Sequence, residues 1–310
     1  MIHIRPGILV ITTFICMQVI NYLPKFFVKH KILQLLCKLK LQSKIVKCSF
    51  NNTSIILIDI TDPEPRNVYI HGQFEEDFFK IVNNLLPHNG TFFDLGSNVG
   101  FCTFGLVPSK PNVNYHLFEA NKNLIALIKE SCKFYEKSSL TVNHCCVTDK
   151  LGFSQFHITN NQTGQSHIAV NNEKAVSVAN ETLDRYCKIN DINCIDFLKI
   201  DLEGNEIAAL RGASRLLNKN LINFLYVEII PDNQARFNYT TIQLLELIET
   251  CGYNLYYCKS DDFRELNQQP VEMHFTLGVL SLSKFKSKNY PINYSTDILA
   301  ISKSFDLKQF

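Results

Sequence analysis

From about residue 70 to residue 283, short apolar runs alternate with amphipathic stretches, and this alternation limits the fold more than any other property of the chain. "FEEDFFKIVNNLL" (74–86) has helical spacing in Phe78, Ile81, Val82 and Leu85. "GTFFDLG" reads as a strand running into a turn, and "VGFCTFGLV" starts a helix. "VNYHLFEA" is strand-like, and "NKNLIALIKESCKFYEK" puts Leu124, Leu127, Ile128 and Cys132 on one helical face. "LTVNHCCV", "CIDFLKIDLEG", "INFLYVEII" and "YNLYYCK" continue the strands. "ETLDRYCKIND", "NEIAALRGASRLLN" and "TIQLLELIETCG" supply the helices between them. "DKLGFSQFHI" suggests a turn and an edge strand, and "MHFTLGVLSLS" a last strand. Strands joined by helices at this spacing form βαβ units, which predicts an α/β fold with a parallel sheet and helices on both faces.

The N-terminal portion is different. "GILVITTFICMQVI" (7–20) carries no charge, and the uncharged run between Pro6 and Pro24 approaches the ~20 residues needed to cross a bilayer. Residues 1–24 are therefore expected to form a membrane-spanning or signal-anchor segment. Lys25, Lys29, Lys31, Lys38, Lys40 and Lys44 follow among Leu, Ile and Phe, so residues 25–70 read as a basic juxtamembrane connector, with a hairpin through "KIVKCSF" and "SIILIDI". The lysines lie after the apolar run, which keeps the following domain in the cytoplasm by the positive-inside rule. Seven N-glycosylation triplets point the other way, although an Asn-rich chain produces such matches by chance. The main domain is expected over 71–285, with a tail over 286–310.

A net charge of +2 argues against nucleic acid as the main partner. The eleven cysteines include no CxxC and no Cys/His cluster with zinc-like spacing, so they read as reduced, mostly buried thiols and no metal is expected.

The chemistry concentrates at strand ends. In "DLGSNVG" (94–100), Gly96 permits a sharp exit from the strand and leaves room for a ligand against the backbone. Two glycines four apart do not make GxGxxG, and no P-loop lysine follows. A DxGxxxG turn suits S-adenosylmethionine. Glu119 ends the next strand, 25 positions after Asp94, where a carboxylate can accept both ribose hydroxyls of a nucleoside. Cys146 and Val147 on the third strand are placed near an adenine. In "CIDFLKIDLEGNE" (194–206), period-two alternation puts Phe197, Lys199 and Asp201 on one face, so Asp201 can pair with a lysine that is costly to bury alone. Glu203 follows in the turn, Glu206 suits a helix N-terminus, and Glu228 ends the fifth strand at the same rim. The segment 157–180 is polar and irregular, and is placed to border the acceptor. It carries His157 and His167, read as solvated loop histidines.

"FFDLGSNVGFCTF", "FEANKNL", "TLDRYCK", "LKIDLEGNEIAALRGA" and "YVEI", in this order, resemble the FkbM family of S-adenosylmethionine-dependent methyltransferases over residues 75 to 283. The resemblance implies a Rossmann-like, seven-stranded methyltransferase sheet, mostly parallel with an antiparallel last strand. It also implies methylation of a hydroxyl on a sugar or small metabolite, so that the partner is a small-molecule or glycan acceptor. On this resemblance Asp94, Gly96, Asn98, Gly100 and Glu119 hold the cofactor, and Asp201 and Glu203 sit by the transferable methyl; Ser97 lies in the same turn and is expected at the cofactor too, and Asp201 or Glu203 is the expected base, oriented by Lys199. Two other readings stay open. One is a membrane-tethered, non-catalytic binding protein on a methyltransferase fold. The other is a nicotinamide-dependent oxidoreductase, which the missing GxGxxG disfavours. The acceptor's identity and the oligomeric state are not legible.

Overall fold

Asn51 and Asn52 both sit in the left-handed region, φ 45° and 67°, which asparagine tolerates at a tight turn. They fold the chain into an antiparallel hairpin of β1 (Ile45–Phe50) and β2 (Ser54–Asp59). The expected hairpin is therefore present, but it is not part of a loose connector. Phe50, Ile56 and Ile58 are almost fully buried, each worth roughly 1.5–3 kcal/mol against exposure. The backbone of β2 is closed off by side chains from across the domain: Ile55 N donates to the Tyr135 hydroxyl (2.7 Å) and Leu57 N to Ser131 Oγ (2.9 Å).

The computed structural model describes residues 26–40, 42–160, 162–171, 173–258, 273–277 and 280–305. Helix α1 (Phe26–Lys38) buries Leu33 and Cys37 in the same core as the hairpin. Then come α2 (Pro63–His71), α3 (Glu76–Leu85), β3 (Thr91–Leu95), α4 (Phe101–Leu106), β4 (Asn114–Glu119), α5 (Lys122–Cys132) and β5 (Ser139–His144). The chain continues through β6 (Cys146–Val147), β7 (Gly152–His157), β8 (His167–Ile168), β9 (Val176–Glu181), α6 (Leu183–Ile189), β10 (Ile195–Ile200), α7 (Glu206–Arg211), α8 (Ser214–Asn218) and β11 (Ile222–Ile229). It ends with α9 (Pro231–Arg236), α10 (Thr241–Thr250), β12 (Tyr253–Tyr257), β13 (Met273–Leu277), β14 (Leu280–Phe285) and β15 (Thr296–Ser302).

Among the described residues the main sheet has nine strands in the order β13-β14-β12-β15-β11-β10-β3-β4-β5. It is parallel from β5 through β11, and β15 runs antiparallel between β11 and β12. The chain leaves β3 toward β4 and β5, then returns to β10 on the other side. The reversal point lies between β3 and β10, where a crevice opens at the strand C-termini. One core layer packs α1–α5 and the hairpin against one face of the sheet, and a second packs α6, α7, α8 and α10 against the other. A smaller sheet, β6-β9-β7-β8, sits above the crevice.

Several expectations are corrected. The antiparallel strand inside the sheet is Thr296–Ser302, from the segment read as a tail, whereas "MHFTLGVLSLS" forms the edge hairpin β13–β14. The sheet therefore extends past the expected end at 285 and past the expected seven strands. Its core also takes in residues well before the expected start at 71. The segment 157–180 is not irregular throughout, because β8 and β9 lie in it. The apolar run 7–20, expected to be an anchor, lies outside the described residues. Among those residues no helix is long and apolar enough to cross a membrane. Every described cysteine is a free thiol.

Candidate active site

The register of β3 against β10 sets Asp94 beside Lys199 on neighbouring parallel strands. Both share the sheet face of Phe92 and Phe197, under α4, so Asp94 is fully buried. One Asp94 oxygen accepts from the Thr103 hydroxyl (2.7 Å), and the other lies 3.5 Å from Lys199 Nζ. Lys199 also donates to Asp201 Oδ2 (3.0 Å) and to the Gly96 carbonyl (3.2 Å). Burial alone would lower this ammonium's pKa; Asp201 and Asp94 together outweigh it and hold it well above the lysine range.

The turn after β3 is fastened to β4. Gly96 N and Ser97 N both donate to the Phe118 carbonyl (3.0 Å each), and Asn98 N donates to Glu119 Oε2 (2.9 Å). The other Glu119 oxygen accepts from Asn121 N (2.7 Å), and with Ala120 as a further backbone donor the carboxylate still has acceptor capacity left. Burial pushes Glu119 up to about 7 despite these backbone donors. A Cβ on Gly96 would collide with the Asp201 carbonyl oxygen, and its φ is +73°. Only glycine lets this turn pass so close to the end of β10.

The turn after β10 uses the same device for another end. Glu203 and Gly204 take φ values of +53° and +104°. Buried Glu206 folds the turn by accepting from Leu202 N (3.2 Å), Gly204 N (2.9 Å) and the Tyr239 hydroxyl (2.6 Å). Asn205 Nδ2 ties it to the Val147 carbonyl (2.8 Å). This leaves Asp201 and Glu203 facing open space, with Asn233 Nδ2 donating to Glu203 Oε2 (2.6 Å). Asp201, Glu203 and Glu228 each present an oxygen within 4.8 Å of the others, a grouping that can receive a cation or hold a shared proton. Burial first, then Asp201, pushes Glu203 up to about 8 and Glu228 well above the carboxylate range.

A cavity of about 300 Å³ lies over these groups, at the lower end of the size of small-molecule sites. Its walls include Gly96, Asn98, Glu119, Cys145, Cys146, Val147, Asp201, Glu203 and Glu228. A second cavity of about 270 Å³ is lined by Phe74, Glu75, Phe78, Lys199, Tyr226, Ile230, Thr296 and Asp297, among others. The two share Glu64, Asp201 and Glu228 as a common wall.

Residues 94–255, over half of the chain, match the methyltransferase FkbM domain. The chain belongs to the FkbM methyltransferase family. It is thus an S-adenosylmethionine-dependent methyltransferase. No curated protein matches it. Among solved structures it is similar to a TehB-like SAM-dependent methyltransferase from Corynebacterium glutamicum (13% identity, 77% of this chain and 94% of that one, TM-score 0.36). It is also similar to precorrin-6y C5,15-methyltransferase from Geobacter metallireducens (13%, 73% and 87%, 0.38) and to M. capricolum TrmK in complex with S-adenosyl-homocysteine (9%, 74% and 69%, 0.39). Likenesses this distant carry no argument, and the fold stands on its strand order.

The cavity of this FkbM domain suits the family's cofactor. It combines a buried carboxylate that has acceptor capacity left with a small apolar patch of Ala120, Cys146, Phe156 and Ile168. Of the residues expected to meet the cofactor, Gly96, Asn98, Glu119, Cys146 and Val147 line the cavity. Asp94, Ser97 and Gly100 do not. The period-two alternation that hides Asp94 against α4 removes it from the crevice, Ser97 is buried against β4, and Gly100 caps α4. Lys199 borders only the second cavity. His157 and His167 face each other across β7 and β8 and line neither cavity. Sequence reasoning missed Asp62 and Glu64, which also border the cavity; the turn at 162–166, expected to border the acceptor, lines this cavity as well. The pair "DPEP" at the start of α2, with Asp62 as N-cap, marked a helix start but not its nearness to the crevice.

Proposed function

We propose that this FkbM protein transfers the methyl of S-adenosylmethionine to a hydroxyl of a sugar or other small metabolite. The observation that carries this reading is that Glu119 and Asp201 border one cavity, and that Asp201 also borders the second. In this reading Glu119 receives the ribose hydroxyls on its remaining lone pairs, Cys146 and Val147 lie along the adenine, and Gly96 and Asn98 form the floor. The bound cofactor supplies a methyl already activated on a sulfonium.

The protein then has two tasks, placement and proton removal. The second cavity holds the acceptor, with the apolar edges of Phe74, Phe78 and Tyr226 against its body and Glu64, Glu228 and Thr296 receiving hydroxyls. Among the described residues the cation lining this chamber is Lys199, already engaged by Asp94 and Asp201, which favours a neutral acceptor over a phosphorylated one. Asp201, fixed by Lys199, takes the hydroxyl proton during attack, worth about 10²–10⁴-fold in rate. Holding the oxygen in line with the methyl supplies the rest.

Binding titrations with S-adenosylhomocysteine and with NAD test the cofactor half: the first binds and the second does not. Methyl transfer from labelled S-adenosylmethionine to neutral and phosphorylated sugars tests the acceptor half. Tight NAD binding with no S-adenosylhomocysteine binding would return the chain to the oxidoreductase reading.

A further inference from the structure

The stretch at 162–166 lines the cofactor cavity together with Gly96, Asn98, Glu119 and Ala120. What holds it there comes from far away in the chain. Asp62 is buried and caps α2 with one oxygen, which accepts from Glu64 N (3.2 Å). Its other oxygen accepts from both Thr163 N (2.7 Å) and Thr163 Oγ1 (2.7 Å). Thr163 Oγ1 also lies 3.2 Å from Asn98 Oδ1, but a hydroxyl has one proton, and the shorter approach to a carboxylate takes it. Beside it, Gly164 packs so closely on Glu64 that an added Cβ would stand 2.9 Å from Glu64 Oε2. The turn is thus joined to α2 at Asp62 and lies beside Asn98 of the glycine turn, at the cavity wall.

We propose that Asp62 is a positioning residue for the cofactor: through Thr163 it latches the 162–166 turn over the cavity, and release of the latch governs cofactor exchange. This makes the start of α2, which precedes the family-matched span, a working part of the site. The latch rests on the cofactor reading given above.

Dissociation of S-adenosylhomocysteine from the full chain, followed by stopped flow, tests it. Thr163→Val removes the hydroxyl and keeps the shape; Thr163→Ser keeps the hydroxyl. Loss of a hydrogen bond to a charged group should speed release by about tenfold in Thr163→Val. Thr163→Ser should stay within about twofold of wild type, and the thermal midpoint of unliganded Thr163→Val should fall by no more than the loss of that one hydrogen bond. A merely structural role would lower the midpoint and leave the release rate at the wild-type value. Wild-type release in Thr163→Val, or equal acceleration in both variants, would overturn the latch while leaving the cofactor reading intact. Failure of the wild type itself to take up S-adenosylhomocysteine would end both. If Thr163→Val does not fold, Thr163→Ala serves in its place with the same criteria.

Discussion

Two turns in this protein are spelled almost alike: Asp94-Leu95-Gly96-Ser97-Asn98 after β3 and Asp201-Leu202-Glu203-Gly204-Asn205 after β10. Both leave a central parallel strand, and both use left-handed residues to do so. Their aspartates nevertheless have opposite fates. Asp94 is level with Lys199 in the sheet, whereas Asp201 lies two residues further on, beyond the last paired position of β10. One carboxylate is therefore sealed under α4 as a counter-charge, and the other, on the same lysine, opens into the cavity. A two-residue difference in depth separates a structural acid from a candidate catalytic one.

The largest test of this contrast is Gly96→Ala. The new Cβ meets the Asp201 carbonyl at a φ that disfavours alanine, so denaturant unfolding should show a loss of about 4 kcal/mol or more, or no folded protein. Near wild-type stability would mean that the two turns are not locked together. Next comes Asp94→Ala, which leaves the Thr103 hydroxyl without its acceptor and a buried ammonium with one carboxylate fewer. A loss of about 3–5 kcal/mol is expected, toward the lower figure because Asp201 still faces Lys199. Asp201→Asn should do the reverse, costing less in stability, about 1–3 kcal/mol, because the side chain is partly open and the amide oxygen can still accept from Lys199. It should keep S-adenosylhomocysteine affinity and cut methyl transfer by about 10²–10⁴-fold. If Asp201→Asn unfolds the protein as readily as Asp94→Ala does, the contrast fails.

The smallest effect is a pH slope at Glu64. More than a third of this side chain is open, but the opening is into the cavity, and burial first, then Asp201 and Asp62, push it up to about 7 from an ordinary 4.5. The unfolded chain releases this proton at lower pH than the folded one. The unliganded fold therefore loses stability as pH rises from 4.5 toward 7, and the loss levels off above that. Glu64→Gln should show a shallower fall in thermal midpoint between those pH values, with the remainder set by the other raised carboxyls, among them Glu119, Glu203 and Glu228. An identical fall in both proteins would remove Glu64 from the acidic wall.

What could be read in advance was whatever depends on local period and spacing. The parallel sheet, the turn at 94–100, Glu119 at a strand tip and the Lys199–Asp201 pair all follow from residues close in sequence. The burial of Asp94 could not, because it depends on the register between β3 and β10. Asp62 and Glu64 were invisible for a similar reason: the hydrogen bonds that bring them to the cavity span long stretches of chain. The insertion of β15 lies between these cases. The run Ile298 to Ile301 is buried on both faces and could have been read as a strand, but its seat between β11 and β12 is set by the sheet.

The most direct test of the account is a crystal structure of the full chain with S-adenosylhomocysteine. The account predicts both ribose hydroxyls on Glu119, the adenine along Cys146 and Val147, and the sulfur turned toward Asp201. A nucleoside bound elsewhere, or one whose sulfur faces away from Asp201, would contradict it.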